Sequence, residues 1–181
     1  AVDATPGDGY SIVGLVPIAP TAFGRQMGAG VATAVILPYC DGDVGDLQGQ
    51  QYIDQSRDLT RSRAVRSAVL VMGANHNFFN TEWTPGLAVA PANDDWLWAG
   101  SDDDPTCGPA DTARLTPLEQ QAVGATYIAA LVRVAVERDA ASMSLLDGSS
   151  VRAASAGRAR VLTHALGGRR RLVYRPHRAD L

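Results

Sequence analysis

The chain has 181 residues, 46% of them hydrophobic and 19% charged, with a formal net charge of −3. This is enough for one domain with a real core plus a short appendage, and no apolar run approaches the roughly 20 residues of a membrane-spanning helix. The opening AVDATPGDGY lacks the basic and apolar stretches of a secretory leader. It starts on alanine, so a processed chain, or one cut from something longer, is expected.

Residues 12–19, IVGLVPIA, form a first short apolar run, 31–38, VATAVILP, a second, and 67–72, SAVLVM, a third. Each is nearly continuous and ends in turn residues, the pattern of strands buried on both faces of a parallel sheet. Between the second and third, DVGDLQGQQYIDQSRDLTRSR is polar and long enough for a helix, which predicts a βαβ unit. Residues 81–115 then read as a long irregular segment carrying Trp83, Trp96 and Trp98. A strong helix follows from Thr116: a Thr N-cap, Pro117 at the first position and Glu119 to complete a capping box. Its predicted sheet-facing stripe is Leu118, Ala122, Ala125, Ile128, Ala129, Val132 and Val136, with the helix ending near Asp139. Beyond it, VRAAS, ARVLTHAL and RRLVYRP read as the start of a separate antiparallel β unit. The predicted division is 1–140 for the α/β domain and 141–181 for a linker and this β-rich unit.

All basic side chains are arginine, and from Val151 onward Arg152, Arg158, Arg160, Arg169, Arg170, Arg171, Arg175 and Arg178 are set against a single acid in the sequence, Asp180. No nucleic-acid motif accompanies them, so they read as exposed arginines of a β unit, with no nucleic-acid partner expected. Cys40 and Cys107 both lie beside Gly/Asp-rich loops, which favours a disulfide over two buried free thiols. No metal is expected at them, because neither a CxxC nor a nearby histidine is present. The acidic clusters at Asp94–Asp95 and Asp102–Asp104 leave a calcium site as a minor alternative, although their spacing does not match a calcium-binding loop.

The chemistry is concentrated past two strand ends. YCDGDVGD places Asp41, Asp43 and Asp46 after the second strand, and GANHNFFNTEW places His76 after the third. Adjacent parallel strands deliver such groups side by side at the carboxyl edge of the sheet. A carboxylate that accepts the imidazole Nδ1 hydrogen makes the histidine a competent base. His164 and His177 have no such acid and read as incidental.

In order and spacing, LPYCDGDVGDLQGQQYID, GANHNFFNTEW and LTPLEQQAVGATYIAALV resemble the C-terminal half of secreted actinobacterial α/β-hydrolases of the esterase, lipase and dienelactone-hydrolase kind. The resemblance covers roughly residues 10–139. It implies an α/β fold, the C-terminal half of a hydrolase parallel sheet with flanking helices, and an extracellular, cofactor-free esterase acting on a small or lipid-like ester. By position it makes Asp43 the triad acid, with Asp41 and Asp46 as alternatives because Tyr39-Cys40 replaces the family's His-Gly. It makes His76 the base, with Asn75, Asn77, Phe78, Phe79 and Trp83 lining or buttressing the substrate site. The family's nucleophile elbow, G-x-S-x-G, should precede the first strand. Ser11 in GYSIVG and Ser155 in AASAG fit it poorly, so the serine is expected upstream, in a missing N-terminal half, and the chain alone is expected to be inactive. The competing reading is a non-catalytic hydrolase-like scaffold or binding fragment.

Overall fold

A computed structural model describes residues 9–23, 30–59, 62–90, 96 and 104–170. Its centre is a four-stranded mixed sheet in the order β1-β2-β3-β4, with β1 Gly14–Leu15, β2 Ala32–Pro38, β3 Arg66–Val71 and β4 Val161–Leu166. The first three strands are parallel and β4 runs antiparallel to β3. This is an α/β protein, as the alternation of apolar runs predicted.

The second and third runs became strands because both of their faces are covered. On one face Ala34, Ile36, Val69 and Val71 meet Val123, Tyr127, Ala130, Leu131 and Val134 of the long helical segment. That segment is α3, Pro117–Val132, extended by a π turn over Arg133–Glu137. On the other face Val35, Leu37 and Ala68 pack on Ile53 of the short helix α1, Gln50–Asp54. A second short helix, α2 Ser56–Leu59, completes the connection to β3. Gly49 permits this closeness: a Cβ there would lie 2.8 Å from Leu37 and 2.9 Å from Val35.

The first run is shorter as a strand than its composition suggested. Pro17 has no N–H to give a ladder and interrupts it. Pairing resumes around the break: the Ile36 N–H donates to the Pro17 carbonyl and the Ala19 N–H donates to the Ile36 carbonyl, both at 2.9 Å.

Helix α3 begins as predicted, with the Thr116 hydroxyl and the Glu119 carboxylate capping each other's backbone N–H. Its orientation differs from expectation. Leu118, Ala122, Ala125, Ile128, Ala129, Val132 and Val136 all point to solvent, with Leu118 79% exposed. The buried face is Gln120, Val123, Gly124, Thr126, Tyr127, Ala130 and Leu131. The helix is apolar on both sides, so its pattern does not decide which side meets the sheet.

The tail also differs. Arg138 in the left-handed region ends the helix, and Asp139 caps a new one, α4 Ala140–Leu146, accepting the N–H groups of Ala141 and Ser142. Val161–Leu166 does not start a separate unit but pairs along the full length of β3. VRAAS is not a strand; Ala154–Ala156 forms a single 3-10 turn. Most of RRLVYRP lies outside the described residues. Several tail arginines act as staples. Arg158 spans Glu119 and the carbonyls of Thr112 and Arg114, Arg152 donates to the Ala159 carbonyl, and Arg170 donates to the Asp147 carbonyl. Among the described residues, no helix is long and apolar enough to cross a membrane.

Candidate active site

The loops after β2 and β3 are joined before any side chain is considered. The Cys40 N–H donates to the Ala74 carbonyl at 2.8 Å, and the Tyr39 N–H to the Val71 carbonyl at 3.0 Å. Gly73 makes the turn out of β3 with φ +73, and any side chain there would strike the Ala113 carbonyl. The Gly73 carbonyl in turn accepts the Leu115 N–H at 2.8 Å, so the entrance to α3 is tied to the same turn.

This backbone frame sets His76 against Asp41. The imidazole Nδ1 lies 3.0 Å from Asp41 Oδ1 and 3.1 Å from Oδ2. An ionised carboxylate only accepts, so Nδ1 carries a hydrogen, and in the neutral imidazole Nε2 is then the basic nitrogen. Asp41 Oδ1 also accepts the N–H groups of Asp43 at 3.0 Å and Val44 at 2.7 Å. Asp41 is only 1% exposed, so these bonds compensate for the burial of its charge.

The carboxylate on Nδ1 is therefore Asp41, one of the alternatives, and not Asp43, the residue expected by position. Asp43 is on the other side of the ring: its Oδ2 lies 3.6 Å from Nε2, and its side chain is 67% exposed. The reason is local. Asp41 turns back to bind the two N–H groups that follow it, which points its carboxylate at the histidine loop and carries Asp43 around the turn. Asp46 is exposed and accepts from Gln48 at 3.2 Å.

Of the residues expected to line or buttress the site, Trp83 stacks on His76 itself, with ring centroids 5.9 Å apart and planes 18° apart. Asn77 heads the 3-10 turn Asn77–Phe79 and is half-buried. The other three face inward. Asn75 is buried, and its Oδ1 accepts the Phe78 N–H at 2.9 Å. Phe78 meets Trp96 edge-on in a buried cluster with Cys40 and Cys107. Phe79 lies over Gly124 of α3.

Cys40 and Cys107 form a disulfide with Cα atoms 5.5 Å apart. It anchors Cys107 directly beside the turn that carries Asp41. Arg114 reinforces this anchor by donating twice to the Cys107 carbonyl and lying 4.1 Å above the Trp96 ring. The Asp104 carboxylate caps the same turn and accepts the N–H groups of Thr106 and Cys107, which hold it below the usual carboxylate range. Its neighbours in the proposed calcium clusters, Asp94, Asp95, Asp102 and Asp103, lie outside the described residues. Among the described residues no three His, Cys, Asp or Glu side chains are placed to share a metal ion.

The serines considered for the nucleophile lie elsewhere. The Ser155 hydroxyl is bonded to that of Thr126 on α3 at 2.9 Å, and Ser11 is exposed ahead of β1. His164 is exposed on β4, and His177 lies outside the described residues. Arg114 and Gln120 are the supporting residues that the sequence reading did not single out, whereas Trp96, noted there with Trp83 and Trp98, is a buried anchor of the long segment. Arg114 left no local signal, and Gln120 is a polar residue on the side of α3 that proved to be buried.

No family model matches this chain, and neither a curated protein nor a solved structure resembles it at a significant level.

Proposed function

We propose that the Asp41–His76 pair is the acid–base half of a serine-hydrolase-type site, of the α/β-hydrolase kind that the sequence resembles, and that it acts in acyl transfer from an ester. The observation carrying this reading is the buried carboxylate on Nδ1 combined with an imidazole side chain still 12% exposed. Asp41 fixes the tautomer, Nε2 takes the proton of a serine hydroxyl as it attacks the ester carbonyl, and the resulting imidazolium returns that proton to the leaving alcohol. Water then releases the acyl group by the same two transfers. Trp83 gives the site an apolar wall suited to an acyl or alkyl group. Acyl transfer here calls for a serine nucleophile and oxyanion donors beyond the described residues. Among the described residues β1 pairs with β2 alone, and its other edge is where further parallel strands would be added. The disulfide fits an oxidising, extracellular setting.

A fluorophosphonate probe tests this reading on the complete gene product. The expected result is labelling that is abolished in His76→Gln and slowed by about 10⁴-fold in Asp41→Asn, the cost of the wrong tautomer. Asp43→Asn should label at nearly the native rate. Absence of labelling in the native protein, or labelling indifferent to His76, would refute the reading and favour the scaffold alternative.

A further inference from the structure

Helix α3 places one polar side chain against the sheet where an apolar one would pack at less cost. Gln120, on the first turn of the helix, is fully buried. Its two amide atoms bond to the same residue. Oε1 accepts the Asn75 N–H at 3.1 Å, and Nε2 donates to the Asn75 carbonyl at 2.7 Å. This reproduces the two bonds an adjacent strand would make to Asn75, at a point where the chain has left β3. A buried amide is tolerated only when paired in this way.

Asn75 immediately precedes His76, and its own Oδ1 accepts the Phe78 N–H, closing the turn around the imidazole. The clamp itself stands on fixed ground. One residue before Gln120, Glu119 closes the capping box and is held by Arg158. The backbone on both sides of His76 is thus fixed, by Gln120 before it and by the Asn75–Phe78 bond across it.

We propose that Gln120 is a positioning residue for His76. By clamping the Asn75 backbone it sets the direction in which Nδ1 meets Asp41. The inference rests on the acyl-transfer reading only for its consequence on rate; the geometry it asserts belongs to this chain alone.

The test is the side-chain Nδ1 hydrogen of His76, followed by nuclear magnetic resonance in the 181-residue chain. Gln120→Met, close in volume and unable to make either bond, should speed exchange of that hydrogen with water by about tenfold, the effect of one lost buried hydrogen bond. The signals of His164 should not move. Gln120→Leu, smaller and equally unable to make either bond, should show the same change and serves if the methionine variant does not fold. Val123→Ala, on the same face of α3, should lower stability without changing His76. Unchanged His76 signals in both Gln120 variants, or an equal change in Val123→Ala, would overturn the proposal. Failure of the acyl-transfer reading would appear separately, as absent probe labelling with the His76 signals still responding to Gln120.

Discussion

Asp41 holds three donors at once, and its replacement separates what it does for the fold from what it does for His76. In Asp41→Ala the N–H groups of Asp43 and Val44 and the Nδ1–H of His76 lose their acceptor in a buried setting. A stranded buried donor costs about 1–3 kcal/mol. Water entering the vacated space offsets part of this, so the expected loss is near the low end of the sum, about 3 kcal/mol. Asp41→Asn is different. Its carbonyl oxygen keeps both backbone bonds while its NH₂ faces the ring, so the imidazole must carry its hydrogen on Nε2 and accept on Nδ1. That exchange costs about 1 kcal/mol in stability while leaving the base in the wrong tautomer. Asp43→Ala, an exposed carboxylate, should stay within about 0.5 kcal/mol. Urea unfolding at neutral pH measures all three, and histidine side-chain nitrogen shifts report the tautomer. A loss below about 1 kcal/mol in Asp41→Ala, set against the cost of a single hydrogen bond, would refute the central place given to this carboxylate. So would an Asp41→Asn variant that keeps its hydrogen on Nδ1.

Removal of the disulfide by Cys40→Ala with Cys107→Ala should cost about 4 kcal/mol by the chain-entropy relation, for a link spanning 67 residues; unfolding in urea with and without a dithiol reductant checks it. Glu119 is pulled down to about 2 from 4.5, first by its hydrogen bond from Arg158 and then by the Thr116 N–H. Its folded value lies below its unfolded one. Its contribution to stability is therefore present above pH 4.5 and is lost as the pH falls towards 2; Arg158→Met should flatten that acid limb in a series of thermal melts. Polar substitution on the outward stripe of α3, as in Val132→Gln, should stay within about 0.5 kcal/mol, whereas Val123→Ala should cost about 2 kcal/mol; equal costs would contradict the orientation of the helix.

The central strands and the start of α3 were legible in the sequence because their signals are local. A run buried on both faces needs no partner to be recognised, and Thr116, Pro117 and Glu119 spell a helix start by themselves. The pairing of β4 with β3 was not legible, because nothing near residue 161 names a strand some ninety residues earlier. Asp41 and Asp43 were separable only by the turn. Both follow the strand at suitable distance, and the choice falls to the carboxylate that can turn back onto the N–H groups two and three residues ahead.

The misreading of α3 has a different cause. Pattern reasoning assigns polar residues to the solvent side, yet Gln120 and Thr126 stand on the face of α3 that is buried. Both are buried, each with a bond that pays for its burial: Gln120 to the backbone of Asn75, and Thr126 to the Ala122 carbonyl and the Ser155 hydroxyl. A sequence consistent at every level would place only apolar residues there. The departure falls where α3 has two tasks, covering the sheet and holding the turn that carries His76. An apolar residue at position 120 would have satisfied the first task alone, leaving the Asn75 N–H and carbonyl without partners beside the imidazole that the fold pairs with the buried Asp41 carboxylate.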